Sequence, residues 1–282
     1  MMYTRKAWVA GTFYPEQPER LVDMVRHLLK KESKLIDYSL GKHHILGGIV
    51  PHAGYMYSGY EAVHLYELIR YSEIDFDTIL ILHPNHTILM DEDLSVTGSD
   101  IWETPLGKLE VDLEFAKMLN LPMNRIAHQN EHSAEVQLPF LQLFLRKGFK
   151  ILPISMNHQT VSCALKLANL IIETNQILKR RLLVLASSDF SHYLAPDLAY
   201  RQDQYVVKAI SEFDTEQIFN KVKRHRISVC GFGPIMTLVA YSRMLHKDAI
   251  AKVLRRGNSG DVRSSNSVVD YLSILFYRPK FA

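Results

Sequence analysis

Ile45-Leu46-Gly47-Gly48-Ile49-Val50 runs straight into Pro51-His52-Ala53-Gly54-Tyr55. Six apolar or small residues closed by a proline turn read as a buried strand. Two more runs share the form. Thr78-Ile79-Leu80-Ile81-Leu82 ends in His83-Pro84-Asn85-His86, and Leu182-Leu183-Val184-Leu185-Ala186 ends in Ser187-Ser188-Asp189-Phe190-Ser191-His192. Longer segments of helical period separate these runs, which argues for α/β layering. Strand ends that neighbour each other in such a sheet open onto one crevice, where ligand and metal sites are usually built.

The same periodicities predict strands near 45–50, 78–82, 94–97, 107–111, 149–155, 181–186, 250–254 and 267–276. Helices fit 17–31, 58–71, 112–119, 133–146, 160–176, 198–210, 214–223 and 234–245, several opening on Pro, Asp, Ser or Thr. No linker, repeat or low-complexity tract divides the chain, so residues 1–282 are expected to form one domain. The weakest places are 30–37 and 255–266, and the second reads as a surface loop.

With 282 residues, 47% of them hydrophobic, the chain can bury a large core. Thirty-three basic against 30 acidic residues leave a formal charge of +3, which gives no reason to expect nucleic acid as a partner. The basic run Lys221-Val222-Lys223-Arg224-His225-Arg226 reads as the solvated end of a helix. Two cysteines make no disulfide framework, and Met1-Met2-Tyr3-Thr4-Arg5-Lys6 lacks the apolar stretch of a signal peptide. Every apolar run is interrupted before the roughly 18 residues a membrane helix needs. A cytoplasmic protein without membrane contact is the expectation.

The chemistry concentrates at the strand ends. His52 sits among small residues that leave room around its ring, and serves either as a turn residue or as a ligand. His86 follows a loop stiffened by Pro84 and is the better ligand candidate of its pair, whereas His83 is placed for a local hydrogen bond. The segment 187–192 carries Ser, Asp and His, but a catalytic triad draws on separate loops and no Gly-x-Ser-x-Gly elbow occurs. Asp189 and His192 suit metal ligation, orientation of a ligand or proton transfer, or else simply cap a helix. Cys230 precedes Gly231-Phe232-Gly233-Pro234 and a helix, whose N-terminus lowers a thiol pKa and favours a metal ligand or nucleophile. Cys163 reads as core filler. His132 and Glu135, three apart, can share a helix face; without a His-Glu-x-x-His motif, His132 is a candidate for proton transfer rather than ligation. No Walker loop or complete dinucleotide fingerprint is present.

Ala10-Gly11-Thr12-Phe13-Tyr14-Pro15, Pro51-His52-Ala53-Gly54-Tyr55, Pro84-Asn85-His86, Glu103-Thr104-Pro105-Leu106-Gly107, Glu131-His132-Ser133-Ala134-Glu135, the 187–192 segment and Cys230-Gly231 together resemble, in order and spacing, the Memo family, whose microbial members are also called AmmeMemoRadiSam system protein B. The resemblance implies a single-domain layered fold, with a central mixed sheet flanked by helices, similar to LigB-type class III extradiol dioxygenases. It implies a metal site of His52, His86 and Cys230, with Asp189, His192 and His132 as catalytic candidates beside it. Those dioxygenases use two histidines and a carboxylate; a thiolate in the third place puts ring cleavage in doubt and suits Fe(II) or copper, with zinc also compatible. The substrate is then a small molecule or peptide, and the expected functional link is to radical-SAM and AMMECR-like proteins. Two other readings stay open: a non-catalytic peptide- or protein-binding module on a vestigial cleft, and an enzyme with Cys230 as nucleophile.

Overall fold

The computed structural model describes residues 2–87 and 91–280. Its strands are β1 (Thr4–Arg5), β2 (His44–Val50), β3 (Thr78–Pro84), β4 (Leu94–Val96), β5 (Ile101–Thr104), β6 (Gly107–Glu110), β7 (Lys150–Met156), β8 (Leu182–Ser187), β9 (His192–Leu194), β10 (Ile250–Asn258) and β11 (Val268–Arg278). The helices are α1 (Pro18–Glu32), α2 (Tyr55–Tyr71), α3 (Leu113–Leu119), α4 (Ile126–Gln129), α5 (Leu138–Phe144), α6 (Val161–Leu178), α7 (Pro196–Ser211), α8 (Thr215–His225) and α9 (Phe232–Leu245).

The main sheet has the order β10-β11-β2-β8-β3-β7-β4, with β9 pairing to β11. Its centre, β2-β8-β3-β7, is parallel, and antiparallel strands extend it on both sides. This is the α/β layering that the alternation of runs predicts and the mixed sheet flanked by helices that the family resemblance implies. The parallel strands β3 and β8 are buried along their whole length, which is why they read as unbroken apolar runs. In β2 the two glycines allow close packing. A Cβ at Gly47 would lie 2.1 Å from the carbonyl oxygen of Val184 in β8, and one at Gly48 would lie 2.6 Å from the Leu65 side chain of α2. A separate three-stranded sheet, β1-β5-β6, holds the N-terminal segment. Among the described residues no helix is long and apolar enough to cross a membrane.

Two segments depart from the sequence reading for identifiable reasons. The helix expected over 133–146 is shortened: a 3-10 turn, Glu135–Gln137, leads into α5, which carries a proline in its first turn. The loop expected from 255 onward begins later, because β10 pairs with β11 as far as Asn258 opposite Asp270. Charged residues hide that strand. Arg255 Nε bonds Glu32 Oε2 at 3.1 Å, and Arg256 Nη2 reaches Asp270 Oδ2 at 2.7 Å and Asp203 Oδ2 at 3.4 Å. Asp203 in turn accepts from the hydroxyl and backbone N–H of Ser191, so the edge of the sheet anchors the loop after β8.

The N-terminal segment is held by a buried ion pair. Arg5 Nη1 lies 2.6 Å from Glu135 Oε2, and both side chains are buried. Glu135 also accepts from the backbone N–H of Trp8 and Val9, each at 2.9 Å, and from the Tyr14 hydroxyl at 2.7 Å. Arg5 donates further to the carbonyls of His128 and Glu131 and lies over the Trp102 ring.

Removing one partner of such a pair leaves the other charge buried, so Glu135→Ala is expected to lower unfolding stability by about 3–5 kcal/mol in a urea titration. Burial, opposed by the Ser191 hydrogen bond and assisted by the Asp270 charge, pushes the Asp203 carboxyl up from 3.8 to about 7. Between those values the folded chain binds more protons than the unfolded one, so stability falls as pH rises from about 4 to about 7. Asp203→Asn is expected to flatten that part of a stability-versus-pH curve.

Candidate metal centre

In the sheet β8 lies between β2 and β3, and all three run in parallel, so their C-terminal ends open on one side. The residues that follow them are His52, Asp189 with His192, and His86. The segment before the Glu135–Gln137 turn adds Glu131 and His132, and the approach to α9 adds Cys230.

Three imidazoles converge. Candidate ligand atoms of His52, His86 and His132 all lie within 4.8 Å of one another. Ring centroids are 5.2 Å apart for His52 and His86, 5.3 Å for His52 and His132, and 4.9 Å for His86 and His132. His52 is 2% exposed, whereas the His86 side chain is 31% exposed, so the cluster opens to solvent on the His86 side.

The surrounding hydrogen bonds decide which nitrogen each ring offers. Ser187 has one hydroxyl proton, which goes to the Ser133 carbonyl at 2.7 Å. Its oxygen therefore accepts from Gln137 Nε2 at 2.9 Å and from His52 Nδ1 at 3.0 Å. His52 thus carries its proton on Nδ1 and turns the Nε2 lone pair outward, 3.1 Å from Cys230 Sγ. Glu131 does the same for His86 by a hydrogen bond and faces His132 at ion-pair distance. Its Oε1 lies 3.1 Å from His86 Nδ1 and 3.4 Å from His132 Nδ1. The same carboxylate accepts from the backbone N–H of His86 and Ser133 and from the Ser133 hydroxyl. A carboxylate behind a histidine fixes the tautomer and raises the basicity of the opposite nitrogen, the usual outer support of a metal ligand.

Charge states follow from this frame. Burial opposes ionisation of Glu131, but the hydrogen bond and charge of His86, with His83 and His132, hold its carboxyl far below the usual range. Burial, then the neighbouring His132 and His86, pushes His52 well down, and burial also lowers His132. Burial lowers His86 too, yet Glu131 outweighs it and the net shift is upward. His52 and His132 are therefore neutral near pH 7 and ready to donate lone pairs.

Asp189 joins two sides of the site. Its Oδ1 accepts from the His52 backbone N–H at 2.8 Å, and its own N–H points at Cys230 Sγ at 3.1 Å. Burial raises its carboxyl to about 6, against the hydrogen bond from His52 and the charges of His192 and His86. The expected lowering of the Cys230 thiol by the helix N-terminus is not met: burial, then the charge of Asp189, pushes it upward. The loss of water around the buried sulfur is the larger effect. Gly231 lets the backbone pass here, since a Cβ would lie 2.4 Å from the Ser187 carbonyl oxygen. His192 stands off from the cluster, half-buried, with Nδ1 donating to the Ser228 carbonyl at 2.8 Å and Nε2 left to take a proton.

Of the residues singled out in the sequence, then, His52, His86, His132, Asp189 and Cys230 gather directly, and His192 lies at their margin. His132 stands within reach of the same centre as His52 and His86, in addition to any role in proton transfer. His83 bonds locally, Nδ1 to the Pro84 carbonyl and Nε2 to His128. Glu131, Ser187, Ser133 and Gln137 had no role in the sequence reading. The only signal for Glu131 is its place directly before His132, because its partner His86 lies 45 residues away.

A family model for Memo-like proteins matches residues 5–275. A MEMO1 family protein of Methanosarcina mazei is 36% identical over 278 residues, spanning 97% of this chain and 99% of its own. One from Archaeoglobus fulgidus is 38% identical over 273 residues, spanning 95% and 97%. Among solved structures, an uncharacterized protein from Escherichia coli K12 superposes with a TM-score of 0.50 at 12% identity, covering 76% of this chain and 91% of that one, a likeness of fold alone. The family match runs through every segment that builds the histidine cluster and Cys230, and this chain belongs to the Memo family.

Proposed function

We propose that this protein is a metal-dependent redox protein that holds Fe(II) or copper through His52, His86 and Cys230, with His132 as a further donor. One observation carries the reading: three imidazoles converge within 4.8 Å, while hydrogen bonds occupy the Nδ1 atoms of His52 and His86 and Glu131 stands 3.4 Å from that of His132. Donors bound to one ion at about 2.1 Å lie roughly 3.4 Å apart in a tetrahedral site, so modest ring rotations close the cluster. Imidazole and thiolate together fit iron, copper and zinc. When bound, iron or copper supplies electron transfer or O₂ chemistry.

The chain's own groups divide the remaining work. Glu131 and Ser187 orient the imidazoles, Asp189 fixes the backbone of His52, and His192 accepts or returns a proton at Nε2. The substrate enters on the His86 side, where the cluster meets solvent. A Cys230 nucleophile acting without metal is the weaker reading, because burial and then Asp189 push the metal-free thiol upward, whereas a coordinated ion would displace the thiol proton.

Elemental analysis of untagged protein purified anaerobically tests the proposal. Near-stoichiometric iron or copper is expected in the wild type and its loss in His52→Ala and Cys230→Ser; absence of metal after anaerobic reconstitution with Fe(II) or Cu(I) refutes it. Glu131→Gln keeps the shape but not the charge behind His86 and His132, and is expected to weaken metal affinity about 10–100-fold in a chelator competition.

A further inference from the structure

Strand β7 pairs in parallel with β3, so its C-terminal end opens on the same side as those of β2, β8 and β3. The residues after it are Asn157, His158 and Gln159, and Thr160 then caps α6 by accepting from the Cys163 N–H. His158 pairs with Asp93 at the surface. Gln159 instead reaches the segment that carries Cys230.

The contact is bidentate. Nε2 of Gln159 donates to the Cys230 carbonyl at 2.8 Å, and its Oε1 accepts from the Gly233 N–H at 2.6 Å. A carbonyl on one side and an N–H on the other fix which way the amide faces, and neither a carboxylate nor a hydrocarbon of the same length serves both. Gly233 makes the room, since a Cβ there would lie 2.9 Å from both Cβ and Cγ of Gln159. Its N–H belongs to the first turn of α9, where donors have no partner within the helix, and the N-cap, Gly231, has no side chain to offer one. Gln159 therefore caps α9 from another element and at the same time grips the residue before the cap.

That residue is Cys230. Its own N–H donates to the Asp189 carbonyl at 3.3 Å, its Sγ accepts from the Asp189 N–H at 3.1 Å, and the Gly231 N–H donates to Ser188 Oγ at 2.9 Å. These ties all run to the loop after β8. Ties to a single loop leave the start of α9 a pivot. A second anchor, from the end of β7, fixes the direction in which the Cα–Cβ bond of Cys230 leaves the backbone, and with it the 3.1 Å approach of Sγ to His52 Nε2. We infer that Gln159 is a positioning residue that keeps the Cys230 sulfur beside His52 Nε2, inside the ligand set of the metal centre. The place of the sulfur in that ligand set rests on the metal-binding function proposed for the protein; its place beside His52 is measurable with or without an ion.

Gln159→Leu removes both bonds. Gln159→Glu keeps an acceptor for the Gly233 N–H, where the helix N-terminus favours a negative charge, and gives up only the donor to Cys230. A residue that merely capped α9 would be replaced by glutamate without loss. Co(II) is the probe, added anaerobically to the full-length protein, and its sulfur-to-metal charge-transfer absorption reports thiolate coordination separately from imidazole. In both variants the absorption per bound ion is expected to fall toward that of Cys230→Ser, and affinity for Co(II) in a chelator competition to drop about 10–100-fold. In the metal-free protein, alkylation of Cys230 by iodoacetamide, followed at that residue by mass spectrometry, is expected to run about threefold faster or more as the sulfur leaves its niche. A Gln159→Glu protein that matches the wild type in absorption and in alkylation overturns the role of Gln159. Cobalt bound by the wild type without the absorption removes Cys230 from the ligand set and overturns that part of the metal-centre reading; the alkylation rates then decide whether Gln159 holds the sulfur, unchanged rates overturning it.

Discussion

Two buried carboxylates four residues apart, Glu131 and Glu135, impose the strongest constraint on this molecule. A buried negative charge is tolerable only if donors surround it, and each of these two gathers its own set. Glu135 takes Arg5, two backbone N–H groups and a tyrosine hydroxyl, and thereby fastens the N-terminal segment to the body. Glu131 takes His86, His132 and the Ser133 turn, and thereby aims two imidazoles. Arg5 links the two demands, because the guanidinium that neutralises Glu135 also donates to the Glu131 carbonyl.

The remaining imidazole is held by different means. His52 rests on a neutral network, Ser187, Ser133 and Gln137, with no carboxylate behind its ring. Its burial and its histidine neighbours keep it unprotonated, while His86, more open and backed by Glu131, titrates higher. One cluster therefore contains rings of unequal basicity, set by whether a charge or a hydroxyl stands behind each. The sheet supplies the positions, since His52 and His86 extend strands separated only by β8, and the loops supply the polarity.

Much of the architecture could be read from the chain because buried parallel strands leave an unmistakable apolar signature, as β2, β3 and β8 do. Strands whose charges are compensated across the sheet leave none: Arg255 and Arg256 look like loop residues until Glu32, Asp203 and Asp270 are seen opposite them. The two residues of β1 are likewise too few to show a period, and β5 and β9 go unread although β6 and β4, no longer than they are, do not. At the site, His52, His86 and Asp189 stand out because they follow buried strands, and Cys230 because it stands just before a helix. Glu131 and Ser187 do not, since serine and glutamate are common everywhere and their meaning lies in partners 45 and 135 residues distant.

The sulfur of Cys230 meets the imidazole of His52 across 178 residues of chain, and Arg5 meets Glu135 across 130. Contacts this remote close only after most of the polypeptide is in place, and the entropy of closing such loops must be met by structure already formed. A ribosome-bound chain thus holds its first histidine long before it can complete the cluster. A metal ion held as proposed, by Cys230 as well as the histidines, would for this reason be captured late, only once residues 52 and 230 have met.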